Sequence, residues 1–147
     1  MNSVFYTSLF LALSLTSLSS FAYTTPDYSI TPGQICSEDN PDFDRFDYSE
    51  QIARCKRNVN KSKKIKIADL YGGIDQSEWP NYEFDHFIPL CAGGSNDISN
   101  LWPQPLDEAN EKDVIENRVC NALRQGNMSQ EEAISTIYNW FESKNNF

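Results

Sequence analysis

The chain has one histidine, His86, and only 12 lysines and arginines against 21 aspartates and glutamates. A zinc centre built on paired histidines is therefore excluded, and imidazole chemistry rests on one residue. A net charge of -9 over 147 residues argues against a nucleic-acid partner, unless positive charge is gathered locally. Closely spaced cysteines are also missing. Cys36, Cys55, Cys91 and Cys120 are separated by 19, 36 and 29 residues, so no C-x-x-C pair exists to hold a structural zinc. Their even number reads as two disulfides in an exported chain. There is no internal repeat, and no long apolar run beyond the N-terminus. The length suits one domain. With 39% hydrophobic and 13% aromatic residues, a core can form and wholesale disorder is excluded.

Residues 4–22 (VFYTSLFLALSLTSLSSFA) are apolar but diluted by seven serines and threonines. The stretch ends in small residues around Ser20 and Ala22, as a signal peptidase requires. It reads as a secretory signal peptide cleaved after Ala22, with export to the periplasm or medium. No lysine or arginine precedes it, so only the α-amino group supplies the positive end. The competing reading, an uncleaved membrane anchor, is disfavoured by the length and the hydroxyl content.

After the leader, residues 23–53 read as an irregular, proline-containing lead-in. Residues 39–50 are acidic and aromatic and receive no role. Then the charge reverses. Residues 54–66 (RCKRNVNKSKKIK) hold Arg54, Lys56, Arg57, Lys61, Lys63, Lys64 and Lys66, seven of the 12 positive charges, with no acid among them. A solvated helix face and a phosphate-binding patch explain this run equally well. A helix is expected over 65–71, ended by Gly72-Gly73. Residues 82–90 (YEFDHFIPL) predict a strand stopped by Pro89, and 92–97 a turn. Residues 98–102 predict a second extended segment, closed by Pro103 and Pro105. Asp107 opens a helix with Val114, Ile115, Val119, Ala122 and Leu123 facing inward and Gly126 as its stop. Ser129-x-x-Glu132 is a capping box for a last helix through about residue 141.

A lone histidine in a strand is by default a packing residue. Here Asp85 precedes His86, Asn100 lies 14 residues on, and Asn110 lies 24 residues on. The stretch FDHFIPLCAGGSNDISNLWPQ, followed by ANEKDVIENR, resembles the HNH endonucleases, the ββα-metal finger superfamily. It is most similar to secreted bacterial members carrying D-H-x-x-P-L-x-x-G-G-x-x-x-x-x-x-N-L-W-P. The core resemblance covers residues 82–118, and a looser one reaches back through the basic run and forward to Trp140. It implies a single α+β domain over 54–147 with a ββα-metal core at 82–126, flanking helices and disulfide support.

The resemblance also implies roles. His86 is the general base for an attacking water, Asp85 and Asn110 are metal ligands, and Asn100 supports the loop or orients the imidazole. Phosphodiester hydrolysis needs an activated nucleophile and neutralisation of phosphate charge, and an imidazole titrating near neutrality suits the first task. Two oxygen ligands without a second histidine favour one Mg²⁺ or Mn²⁺ over Zn²⁺. Asp113 reads as a surface acid more than as a water-mediated ligand. Lys112 and Glu116 read as a helix-surface pair, with Lys112 also able to reach a phosphate. Trp102 reads as a core anchor. The glycines at 93 and 94 supply turn angles.

Within the same ββα arrangement, Cys91 lies about 16 Å along an extended strand from His86. Cys120 lies about 15 Å along a helix from Asn110. The implied pairing is Cys91–Cys120 and, by remainder, Cys36–Cys55. The implied partner is DNA, with RNA left open, gripped by the basic run with little sequence reading. Two rivals stand beside this reading. One is an HNH-derived module that binds nucleic acid or protein without cutting; the other is a secreted toxin nuclease with the same chemistry.

Overall fold

A computed structural model of the chain describes residues 25–144. The leader expected over 1–22 lies outside the described residues. Seven main elements follow in order: β1 (Phe43–Asp47), β2 (Ile52–Cys55), α1 (Lys61–Leu70), β3 (Tyr82–His86), β4 (Leu101–Pro105), α2 (Leu106–Arg124) and α3 (Gln130–Lys144). The result is a small α+β domain with two antiparallel two-stranded sheets and three α-helices. Among the described residues, no helix is long and apolar enough to cross a membrane.

The helices begin and end where local chemistry dictates. Asn60 caps α1 by accepting from the Lys63 N–H at 3.0 Å. Past its end, the Gly73 N–H returns to the Ala68 carbonyl, with Gly72 at φ +89°. Helix α2 closes with the Gly126 and Asn127 N–H groups on the Leu123 and Ala122 carbonyls. Ser129 and Glu132 form the reciprocal capping box of α3.

The strands depart from expectation in an instructive way. Strand β3 ends at His86, short of Pro89, and residues Ile98–Asn100 form a 3-10 turn before β4. Pro103 lies inside β4 and Pro105 is its last residue, so the strand runs past the Trp102 end expected for it and stops at the second proline. The register pairs Phe84 with Pro103 and Tyr82 with Pro105, whereas the Phe87 N–H bonds to the Asn100 carbonyl. Hydrogen-bonded pairs alternate, so both prolines fall where no N–H is needed, on a strand with only one neighbour. The stretch read as an irregular lead-in is a second correction. It contains β1 and pairs it with β2 through a turn in which Tyr48 and Gln51 take positive φ.

The core gathers Phe84, Phe87, Leu101, Trp102, Val119, Leu123, Ile137 and Phe141 between the β3–β4 hairpin and the helices. Trp102 meets Phe141 edge-on at 5.5 Å, as expected of a core anchor. Two disulfides join Cys36 to Cys55 and Cys91 to Cys120. The first ties the N-terminal segment to β2, and the second ties the turn after β3 to α2.

Gly94 is held for space. A Cβ there would lie 1.8 Å from the Ile88 carbonyl oxygen, whereas one at Gly72 would meet nothing within 4 Å. Gly94→Ala is expected to cost about 2–3 kcal/mol by overpacking against backbone. Gly72→Ala is expected to cost about 1 kcal/mol, from its left-handed backbone alone. Urea unfolding of both variants checks this ranking, and equal losses would contradict it.

Candidate active site

His86 closes β3, and its side chain is 2% exposed as a residue, between the β1–β2 side of the molecule and the loop that precedes β4. Both ring nitrogens are engaged. Nδ1 lies 3.0 Å from Arg57 Nη1, and Nε2 lies 3.0 Å from Asn96 Oδ1. A guanidinium only donates, so Nδ1 accepts and Nε2 carries the proton. Asn96 confirms that assignment. Its Nδ2 donates to Asp42 Oδ2 at 2.9 Å and to the Lys56 carbonyl at 2.8 Å, which leaves Oδ1 to accept from His86 and from the Asn58 N–H. Asp42 thus fixes Asn96, and Asn96 fixes the tautomer of the ring.

Asp85 precedes the histidine and sits between two cations. Lys112 Nζ is 2.6 Å from Asp85 Oδ2, and Arg57 Nη1 is 3.3 Å from Asp85 Oδ1. Burial opposes ionisation of Asp85, but the Lys112 charge prevails and holds the carboxyl well below the usual carboxylate range. Lys112 is 1% exposed and spends its donors on Asp85, on the His86 carbonyl at 2.6 Å and on Glu116. Burial works against its charge too, and the two carboxylates overcome this, raising its pKa above that of an ordinary lysine. Glu116 shifts upward through burial and the like charge of Asp85. Arg57, Asp85, His86, Glu116 and the Cys91–Cys120 pair line one cleft of about 130 Å³.

Several expected roles change. Of the two roles expected of Asn100, its contacts match loop support and not orientation of the imidazole. Its side chain bonds to the Ile88 N–H and carbonyl and to the Ser95 carbonyl, so it pins the loop behind the site. Asn110 does not join Asp85. It is exposed, and at 3.6 residues per turn it lies about 200° around α2 from Lys112. Val114, read as inward, shares that outer face at i+4 from Asn110 and is 66% exposed. The buried stripe is Ala109, Lys112, Val119 and Leu123, with Glu116 completing it. Lys112 does pair with Glu116 at i,i+4, but inside the protein and not on its surface, with its ammonium spent on protein oxygens. Arg54 is occupied by Asp47 Oδ2 at 3.0 Å and Tyr48 Oη at 2.9 Å on the β1–β2 ribbon. Lys63 donates to the Asn58 carbonyl at 2.9 Å and approaches Asp42. Of the basic run, Lys56, Lys61 and Lys66 remain exposed, and Lys64 lies over the Phe84 ring.

The sequence reading missed Arg57 as a partner of the ring, and it missed Asn96 and Asp42 altogether. The one available signal was Asn96 inside G-G-S-N-D, a side chain with both donor and acceptor capacity next to the motif.

No protein-family model, curated protein or solved structure matches the chain. The site must be judged on its own chemistry. A divalent cation held by Asp85 and Asn110 does not fit these residues. Asp85 is committed to two cations, and Asn110 projects from the opposite face of α2. Among the described residues, no three histidine, cysteine, aspartate or glutamate side chains converge on a point that would hold a metal. What the arrangement offers is an oriented imidazole with an acceptor nitrogen, a half-exposed guanidinium upon it, and a buried ion-pair cluster beneath.

Proposed function

We propose that the protein is an exported endonuclease that cleaves the phosphodiester backbone of DNA at the Asp85–His86 cleft, with RNA as the second substrate to test. The observation that carries this reading is the Nδ1 lone pair of His86 directed at Arg57 on the cleft wall. The Arg57 side chain is 45% exposed and is held by single contacts to Asp85, His86 and the Phe84 carbonyl, with Glu83 Oε1 at 3.7 Å. An incoming phosphate competes well for such a group, because guanidinium and phosphate pair in a bidentate, charge-assisted fork. Once Arg57 turns onto the phosphate, His86 Nδ1 is left open to take the proton of an attacking water, whose oxygen bonds to phosphorus as the P–O bond to the leaving alcohol breaks and the departing oxygen takes a proton from solvent. Arg57 then faces the charge that develops on the phosphoryl oxygens. Asn96 keeps the ring oriented throughout by holding Nε2–H.

Further support comes from the chain order β3–β4–α2 with the histidine at the end of the first strand, in keeping with the resemblance to ββα-metal finger nucleases. The exposed Lys56, Lys61 and Lys66, with the half-buried Lys64 beside them, supply a backbone-gripping flank to an acidic molecule. The two disulfides are compatible with an oxidising compartment. One observation favours a second reading, a nucleic-acid-binding module that does not cut: both His86 nitrogens are already occupied.

The test is cleavage of supercoiled plasmid and of single-stranded RNA by the oxidised protein, paired with a binding measurement over a salt series. Cleavage supports the endonuclease, and binding without cleavage supports the second reading. Neither binding nor cleavage would sink both. Arg57→Ala is expected to weaken binding and to lower the slope of log affinity against log salt by about one. An unchanged slope would remove Arg57 from the phosphate contact.

A further inference from the structure

We propose that the ammonium group of Lys112 is the resident cation of this site, occupying the oxygen cage that a divalent metal would otherwise need. The inference deepens the nuclease reading, since it concerns the same cleft, but its test does not depend on turnover. Three oxygens surround Nζ: Asp85 Oδ2 at 2.6 Å, the His86 carbonyl at 2.6 Å, and Glu116 Oε1. Two carboxylates and a backbone carbonyl, all hard oxygen donors, are the ligand chemistry of Mg²⁺ and Mn²⁺. Here they converge on a side chain that is 1% exposed and projects from α2. Lysine and metal cannot share that volume.

A tethered ammonium differs from a metal ion in two ways that matter for function. It carries one charge where a metal carries two, and it has no exchangeable coordination position for a phosphate oxygen or a water. Lys112 therefore holds Asp85 and the β3 terminus in place while contacting no substrate. It is a positioning residue. Among the described residues, the only cation of the cleft wall with exposed surface is Arg57, so charge on a bound phosphate falls to Arg57. The site is expected to work, or to bind, without a divalent ion. Because these three oxygens already converge, shortening the lysine opens the site to a metal that completes its shell with water.

The experiment is a titration with Mn²⁺ alone, followed by the loss of the free-ion electron paramagnetic resonance signal, on wild type, Lys112→Ala and Asp85→Asn. Wild type is expected to show no saturable site up to about 1 mM. Lys112→Ala, shown folded by circular dichroism, is expected to bind Mn²⁺ at least about tenfold more tightly than wild type. A saturable wild-type site that disappears in Asp85→Asn would overturn the proposal. A folded Lys112→Ala with no gain would overturn it as well. If Lys112→Ala does not fold, the wild-type titration decides alone. Plasmid or RNA cleavage is a separate readout: a protein that binds no Mn²⁺ and cuts nothing would refute the nuclease reading and leave the resident lysine standing.

Discussion

Lys112→Met is expected to lower the unfolding free energy by about 3–5 kcal/mol at pH 7, the cost of stranding a buried charge by removing its partner. Methionine fills most of the lysine stem's volume, so the loss isolates the charge and its three bonds. The pH dependence follows from the shifts. The folded Asp85 carboxyl lies below its unfolded value of 3.8, so its contribution is present above that pH and is lost as acid protonates it. Lys112, shifted upward from 10.5, contributes at all pH below that value and fades only in strong base. Without Lys112, Glu116 loses its counter-ion and Asp85 keeps only Arg57, so protonation relieves the repulsion between the two carboxylates. The gap between variant and wild type should therefore be widest near pH 7 and narrow toward pH 4. Urea melts at pH 7, 5.5 and 4 decide the matter. Equal stability at pH 7, or a gap independent of pH, would show that Lys112 is not the counter-ion of this cluster.

His86→Ala is expected to reduce nucleic-acid cleavage by roughly 10²–10⁴-fold, the range for loss of a general base. Binding should persist, since Arg57 and the exposed lysines are untouched. The partner network makes a second, distinguishable forecast. Asn96→Ala leaves the imidazole present but releases Nε2–H, so the ring is no longer held in one orientation. A smaller loss than for His86→Ala is expected, read in kcat with KM unchanged. Quantitative gel assays with initial rates over a substrate series separate the two parameters. Full activity in His86→Ala would move the reacting centre away from this cleft. A KM effect alone in Asn96→Ala would make Asn96 a binding residue.

The helices were legible because their signals are local: a capping box at Ser129 and glycines after α1 and α2 are read within a few residues, although α1 begins at Lys61 behind an Asn60 cap, four residues before the expected start. The phase of α2 was not. Sequence reasoning sends charged residues outward, which turns Asn110 and Val114 toward the site and Lys112 toward solvent. The spacing 109, 112, 116, 119, 123 is the true inner stripe, and two opposite charges at i,i+4 inside an apolar stripe mark a buried pair. The β1–β2 ribbon escaped for another reason. Its turn uses positive φ at Tyr48 and Gln51, where glycine or asparagine would ordinarily announce it, and β1 has no clean alternation. Asp42 and Asn96 are 54 positions apart, and nothing local foretells their hydrogen bond. Asp85 and His86 stood out because a motif carried them; their partners did not.

Arg57, Asn96 and Lys112 reach the Asp85–His86 pair from three separate stretches, and Asp42 reaches it through Asn96, so two of the four residues lie ahead of β3. Excising residues 82–126, the portion with the recognisable motif, would discard the Arg57 guanidinium and the Asp42 carboxylate that steadies Asn96. The motif is thus a fragment of a machine whose other parts lie upstream. Grafting it onto another scaffold, or trimming the chain to it, would transplant the histidine without the surroundings that give its lone pair a direction.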